Sequence, residues 1–166
     1  MSDAVDSGSG AAAPVLSEFL MPERILLDLE TTSRKRLFEH IAELSSQGLE
    51  DVTEDCILKK ITERERLGST GLGRGIAVPH GRIDNLEEPV ISVIKLSSPI
   101  DYDAPDDQPV WLAVGLLVPV EANETHLKLL SLLVTRFQDE SFIDSMKQCH
   151  SREQVAALLD GQTPVS

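Results

Sequence analysis

An uninterrupted apolar run constrains the fold more than any other feature of the sequence. The run reads VWLAVGLLV at residues 110–118 and shows no alternation of apolar and polar residues. A strand with one face in water alternates in this way, so a run without alternation indicates a strand buried on both faces. Such a strand needs cover on each side, and the sequence therefore predicts a three-layer α/β/α sandwich. The run is too short to cross a membrane.

Helices and strands intermix along the rest of the chain, as this fold class requires. Helices are predicted where apolar residues recur at helical spacing behind a capping residue: 33–47, 53–67, a helix that starts at Asn123, 141–148 and 151–159. Strands are predicted at 24–29, 76–79 and 90–96. Ser151 and Gln154 predict a capping box at the start of the last helix.

The 166 residues are expected to form one domain, which spans residues 15–160. Residues 1–14 are small and polar and have no apolar period, which predicts a disordered extension. Residues 161–166 are expected to form a flexible tail.

The acidic character of the chain limits the classes of partner. Its formal net charge is −13 and its pI is about 4.6. Nucleic acids and anionic membranes bind basic surfaces, so we expect neither nucleic-acid binding nor membrane insertion. A basic protein partner is compatible with this charge, and so is a role in solubility alone. The N-terminus lacks the basic start and apolar core of a signal peptide, which makes the cytoplasm the expected location.

The stretch LGSTGLGRGIAVPHGR at residues 67–82 is rich in glycine but does not match a nucleotide-binding loop. A P-loop ends in Lys followed by Ser or Thr, and here Arg74 and Gly75 stand in those positions. The dinucleotide pattern GxGxxG also fails, because Ile76 or Val78 replaces its last glycine, depending on the register. We therefore expect no cofactor.

His80, near the end of this stretch, is a candidate nucleophile for phosphorus. Pro79 stiffens the backbone before it, and Gly81 leaves the ring uncrowded. Imidazole titrates near pH 6.5, so much of it is neutral in a cell and one ring nitrogen has a free lone pair. From these residues alone, a structural histidine at the end of a strand is an equally good interpretation.

A phosphoryl group on His80 would need hydrogen-bond donors and positive charge around it. The candidate donors are backbone N–H groups and hydroxyls of the glycine-rich stretch: Ser69, Thr70, Gly71, Gly73 and Gly75. Positive charge could come from arginines that are close in sequence: Arg64, Arg74 and Arg82.

His126 is a second candidate, because it lies in the first turn of the helix that Asn123 caps. A histidine at a helix N-terminus could donate a hydrogen bond to a phosphoryl group held by another residue. A surface histidine that merely tolerates the helix start is the simpler interpretation. The spacing of the histidines gives no i, i+4 pair, so no metal site is expected.

Together these residues resemble a known family. The stretch TERERLGSTGLGRGIAVPHGR, which includes Arg64 and His80, is similar to the active-site signature of the phosphotransferase-system enzyme IIA proteins of the fructose/mannitol group. A second segment, ETHLKLLSLL, matches the family's histidine at the start of a leucine-rich helix and includes His126. The resemblance extends from about Leu16 to Leu159 and is closest to the nitrogen-regulatory members of the group.

The resemblance implies a phosphoryl carrier built on a mixed central sheet of about five strands with helices on both faces. His80 would accept the group on Nε2 from an HPr-like protein, Arg64 would position it, and His126 would support it as a hydrogen-bond donor. Nitrogen-type members regulate protein targets, such as potassium-transport proteins or sensor kinases, according to their phosphorylation state. No metal or cofactor is implied, and a homodimer is possible.

Two alternatives stay open at this point. The first is a sugar-specific IIA component that passes phosphate to a IIB domain for fructose- or mannitol-type uptake. The second is a binding module whose histidine no longer turns over.

Overall fold

The structure, a computed structural model, describes residues 16–161, except for the side chain of Ser17. The predicted extension at 1–14 and all of the predicted tail except Gly161 lie outside these residues. Within them, no helix is both long enough and apolar enough to cross a membrane.

Six strands and five α-helices follow a short 3₁₀ turn at Leu16–Phe19. The strands are β1 (Leu20–Leu29), β2 (Gly71–Gly73), β3 (Ile76–Ala77), β4 (His80–Ile83), β5 (Val90–Ile100) and β6 (Val110–Pro119). The helices are α1 (Arg34–Ser46), α2 (Glu54–Leu67), α3 (Glu124–Arg136), α4 (Glu140–Lys147) and α5 (Arg152–Leu159).

All six strands form one mixed sheet in the order β1-β5-β6-β3-β2, with β4 also paired to β6. β5 runs antiparallel to β6, while β1 is parallel to β5 and β3 and β4 are parallel to β6. The predicted α/β class and mixed sheet are confirmed, with one strand more than the expected five.

The central strand β6 is buried along almost its whole length, as its sequence predicts. One core packs α1 and α2 on one face of the sheet, and a second core packs α3, α4 and α5 on the other face. These three layers are the predicted sandwich. Helix starts also agree with the sequence: the side chains of Ser33, Thr53 and Asn123 accept a backbone N–H in the first turn of α1, α2 and α3.

The predicted strand at 76–79 is wrong in its extent. The sheet strand stops after Ala77 and resumes at His80, so β3 and β4 lie on the same edge of β6 with a gap at Val78 and Pro79. The gap has a physical cause: Pro79 has no N–H to donate, and the N–H of Val78 donates to the carbonyl of Thr70 instead. His80 therefore begins a strand.

The predicted capping box of α5 is only half present. Ser151 Oγ accepts the N–H of Gln154 at 3.1 Å, as expected. The Gln154 side chain accepts the N–H of His150 at 2.6 Å, one residue before the cap. Strand β1 also begins earlier than predicted, at Leu20, directly after the 3₁₀ turn.

Candidate phosphoryl-accepting cleft

A cleft of about 480 Å³ holds the three residues singled out from the sequence: Arg64, His80 and His126. Arg64 comes from α2, His80 from the first position of β4 and His126 from the first turn of α3. We call this space the His80 cleft. Helix α2 packs against β4, and α3 lies against the end of β6, so the fold itself brings the three elements together.

The hydrogen bonding of the His80 ring fixes its tautomer. Nδ1 lies 2.8 Å from the carbonyl oxygen of Val78. A carbonyl oxygen can only accept, so Nδ1 carries the proton and donates it. Nε2 is then the unprotonated nitrogen and keeps its lone pair. The ring is half-buried and lines the cleft, so a partner protein can reach it.

The surroundings of His80 favour its neutral form. Burial lowers the pKa of His80 below its ordinary value, the Val78 carbonyl raises it, and the charge of Arg64 lowers it again. Because the pKa is lowered overall, the ring stays neutral to a lower pH than an exposed histidine does. His80 can therefore act as a nucleophile without an adjacent base.

We expect an NMR titration of the histidine rings to show this difference directly. The midpoint of His80 should lie below the ordinary value for a histidine, because burial lowers its pKa in the folded protein. Between the folded-state midpoint and this ordinary value the unfolded chain binds more protons at this position than the folded chain does, so stability falls as the pH falls through this window. A His80 midpoint at or above the ordinary histidine value would contradict the assignment.

His126 is held at the N-terminus of α3 by the Asn123 cap, whose Oδ1 accepts the His126 N–H at 3.0 Å. Its ring meets Phe19 edge to face, with 6.5 Å between centroids. Nδ1 is buried and has no hydrogen-bond partner among the described residues. A buried donor without an acceptor is costly, and an unprotonated Nδ1 avoids leaving one, so the proton of the neutral ring belongs on Nε2.

Positive charge in the cleft comes from α2 and β4. Arg64 Nη1 donates to the carbonyl of Gly68 at 2.8 Å, which ties the side chain to the end of its own helix. Arg82 is exposed and, among residues 16–161, donates one long hydrogen bond, 3.5 Å to the carbonyl of Val120. Lys60 also lines the cleft. These cations stand beside an imidazole lone pair, which suits a group that arrives with negative charge.

Residues 69–75 of the glycine-rich stretch do not line the His80 cleft, contrary to the prediction for Ser69, Thr70, Gly71, Gly73 and Gly75. Gly71–Gly73 pairs with Ile76–Ala77 as an antiparallel hairpin. The two hydroxyls are engaged elsewhere: Thr70 is buried against Glu65 and Tyr102, and Ser69 Oγ accepts the N–H of Gly71.

Arg74 is also placed away from the cleft. It sits in the turn of the hairpin with φ of 61°, and its guanidinium donates to the carbonyl of Gln138 at 3.1 Å. It lines a separate groove with Trp111 and Lys147. Arg74 and His80 are therefore close in sequence but line different grooves of the structure.

Four residues on one face of α2 line the cleft: Lys60, Glu63, Arg64 and Leu67. Their spacing from Lys60 is i, i+3, i+4, i+7, so helical periodicity counted from Arg64 would have identified Lys60 and Leu67, and Glu63 follows from Lys60. The rim is also apolar, since Leu67 is 85% exposed and Leu127 is 43% exposed. Among residues 16–161, no cluster of three His, Cys, Asp or Glu side chains could hold a metal ion.

Comparisons with known proteins identify the family to which this chain belongs. Residues 18–161 match the family model described as "Phosphoenolpyruvate-dependent sugar phosphotransferase system, EIIA 2". The chain is 37% identical to a nitrogen regulatory protein of Pseudomonas aeruginosa over 87% of this chain and 94% of that protein. It is 35% identical to the Escherichia coli K12 nitrogen regulatory protein over 87% and 88% of the two chains.

A solved structure supports the same relationship. The crystal structure of nitrogen regulatory protein IIA-Ntr from Neisseria meningitidis superposes with a TM-score of 0.83. The two chains are 38% identical, and the match covers 88% of this chain and 99% of the other.

Proposed function

This chain is a phosphoryl carrier of the EIIA 2 family of the phosphoenolpyruvate-dependent sugar phosphotransferase system, and we propose that Nε2 of His80 is the atom that carries the phosphoryl group. The observation that carries the proposal is the hydrogen bond from His80 Nδ1 to the Val78 carbonyl. It leaves the Nε2 lone pair free, in a cleft that also contains Arg64 and His126. The proposed donor is an HPr-like protein that carries its phosphoryl group on a histidine.

The transfer balances without a metal, a nucleotide or a separate base. The Nε2 lone pair attacks phosphorus as the bond from phosphorus to the donor's ring nitrogen breaks, and the donor ring keeps that electron pair. The His80 ring gains positive charge, and the Val78 carbonyl, already bonded to Nδ1–H, stabilises it. Such a step requires mainly that the two rings line up on opposite sides of phosphorus.

Arg64 and His126 are proposed to hold the phosphoryl oxygens. Arg64 supplies positive charge and planar N–H donors. His126 supplies the Nε2–H that its buried and unpartnered Nδ1 implies. The two rings then have complementary tautomers: one offers a lone pair to phosphorus and the other a proton to its oxygens. Arg82 is a third source of positive charge at the rim.

The likeness to nitrogen regulatory proteins supports a regulatory role. We propose that phosphorylation of His80 changes which protein targets the cleft face binds. Targets of the potassium-transport or sensor-kinase type stay predictions, as does a homodimer. The proposed relay operates in the cytoplasm. The family description itself names a sugar phosphotransferase system, so delivery of phosphate to a IIB domain for sugar uptake is the second candidate function.

Labelling with radioactive phosphoenolpyruvate tests the proposed function. In the presence of enzyme I and an HPr-like donor, the wild-type protein should take up one phosphoryl group. The regulatory role predicts that labelled protein hands little of the group on to IIB domains of the fructose or mannitol type, and that pull-downs with labelled and unlabelled protein recover different partners. Rapid transfer to IIB would favour the sugar-uptake role, and failure of every donor would contradict both.

A further inference from the structure

Glu65 is a carboxylate buried on the core face of α2. It follows Ile57 and Ile61 at intervals of four residues on the buried stripe of the helix, and its side chain is only 3% exposed. A carboxylate removed from water is costly unless other partners replace the water. Its neighbour Arg64 lines the His80 cleft. Two consecutive residues of α2 therefore lie in different places, Arg64 at the cleft and Glu65 in the core.

Thr70 and Tyr102 supply hydrogen-bond donors that replace the water around Glu65. The N–H of Thr70 donates to Oε2 at 3.0 Å, and the Thr70 hydroxyl donates to Oε1. The Tyr102 hydroxyl lies 3.2 Å from the same Oε1 and 2.7 Å from Thr70 Oγ1. Burial raises the pKa of Tyr102, so this hydroxyl keeps its proton and remains a donor. Every one of these donors suits an ionised carboxylate.

Arg34 stabilises the buried Glu65 carboxylate less than its charge suggests. Its Nη1 is 3.4 Å from Glu65 Oε2 but only 2.8 Å from the carbonyl of Tyr102, which receives the shorter bond. The Arg34 side chain is also partly exposed to water, which weakens the attraction. The hydrogen bonds to Thr70 and Tyr102 are therefore the main partners of the buried carboxylate.

Two further hydrogen bonds connect Thr70 to His80. The carbonyl of Thr70 accepts the N–H of Val78 at 3.0 Å. The carbonyl of Val78 in turn accepts the Nδ1–H of His80 at 2.8 Å. Val78 lies in the gap between β3 and β4, so its N–H is free of the sheet and bonds to Thr70 instead.

We propose that Glu65 is a positioning residue for phosphoryl transfer. Its carboxylate fixes Thr70, the Thr70 carbonyl anchors Val78 by its N–H, and the carbonyl on the other side of Val78 holds His80 with the proton on Nδ1 and the lone pair on Nε2. The inference rests on the proposed role of His80. A histidine ring free in water favours the opposite tautomer, with the proton on Nε2 and no lone pair there. Glu65 thus acts through Thr70 and Val78 and does not touch the phosphoryl group.

The variant Glu65→Gln tests this inference, because it keeps the size of the side chain and removes an acceptor. We expect phosphoryl uptake to slow by about tenfold, as when a supporting hydrogen-bond partner is lost, with the KM for the donor unchanged. In ¹⁵N NMR spectra, the His80 ring should shift towards the tautomer protonated on Nε2. Because an unfolded chain also favours the ring protonated on Nε2, the shift counts only where the amide spectrum of Glu65→Gln shows a folded protein. Glu43→Gln, at an exposed position of α1, should change neither quantity.

Several outcomes would overturn the inference. One is a folded Glu65→Gln protein with the wild-type tautomer and the wild-type rate. Another is a wild-type His80 that already carries its proton on Nε2, which is observable even if Glu65→Gln does not fold. If Glu65→Gln does not fold, Tyr102→Phe replaces it, because this variant removes one donor and keeps the carboxylate. It should shift the His80 tautomer slightly towards protonation on Nε2, and the absence of any shift would count against Glu65.

The experiment also separates this inference from the proposed function. If no donor labels the wild-type protein but Glu65→Gln still changes the His80 tautomer, the carrier function fails while the positioning of the ring by Glu65 is supported. If the wild type is labelled on His80 and the variant is indistinguishable from it, the carrier function is supported and the role of Glu65 is refuted.

Discussion

Replacing His80 with alanine should abolish phosphoryl uptake altogether. The proposed nucleophile is Nε2 of this ring, and the other histidine in the cleft cannot take over. The Nδ1 of His126 is buried, and its Nε2 carries the ring proton in the tautomer that this burial favours. In the labelling experiment with radioactive phosphoenolpyruvate, the wild-type label should be acid-labile and base-stable, as a phosphohistidine is, and it should be absent from His80→Ala.

Two other histidine variants serve as controls for this result. His150→Ala changes an exposed residue outside the cleft and should be labelled like the wild type. His126→Ala removes a supporting donor, so it should be labelled completely but more slowly. A label that survives in folded His80→Ala would refute the site, and a folded His126→Ala protein that takes no label would show that His126 is more than a supporting residue.

The helices of this protein could be predicted well because their signals are local. Ser33, Thr53 and Asn123 each stand directly before a helix and accept a backbone N–H in its first turn. The extents of the short strands could not be predicted, because β3 and β4 both pair with β6, which is distant in sequence. β3 contains only two residues, and the gap after it depends on a hydrogen bond to Thr70.

The candidate site was likewise predictable from the sequence only in part. The nucleophilic histidine, its neighbouring arginine and the second histidine come from three separate segments, and the structure places Arg64, His80 and His126 in one cleft. The glycine-rich stretch could not be interpreted from sequence, because a row of glycines has the same signature in an anion-binding loop and in a hairpin. What distinguishes the two is what lies against the glycines, and here Gly71 faces Ala104, Gly73 faces Asp106 and Gly75 faces Trp111 of β6.

Glu65 was also visible in the sequence, but its importance was not. The apolar stripe of Ile57 and Ile61 continues to position 65, where a charged residue stands. A charge on a buried stripe indicates a buried partner, but the partners Thr70 and Tyr102 are a loop residue and a residue beyond β5. Only the fold brings them together.

Replacing Gly75 with alanine should lower the free energy of unfolding by about 3 kcal/mol, from two separate costs. Gly75 has φ of 85°, in the left-handed region that a residue with a Cβ adopts only at a cost. A Cβ there would lie 2.2 Å from Cδ1 and 2.5 Å from Nε1 of the Trp111 ring. The indole must therefore move, which breaks its 3.1 Å hydrogen bond to the Arg74 carbonyl.

Gly48→Ala is the matched control, because Gly48 has a similar φ of 79° and nothing within 4 Å of an added Cβ. It should cost about 1 kcal/mol, the backbone contribution alone. Urea unfolding measures both values, and the fluorescence of Trp111, the single tryptophan of the chain, should change in folded Gly75→Ala but not in Gly48→Ala. Equal losses of stability in the two variants would refute the packing of Trp111 on Gly75.

The Gly75→Ala variant also decides what the glycine-rich stretch does. If its glycines shape a hairpin under Trp111, folded Gly75→Ala should accept the phosphoryl group at close to the wild-type rate, because Gly75 does not line the His80 cleft. If the stretch instead donates N–H groups to the phosphoryl group, the rate should fall in the folded protein. Measuring uptake at a temperature where the variant is fully folded separates the two, and a large loss of rate there would restore the phosphate-binding role of the loop.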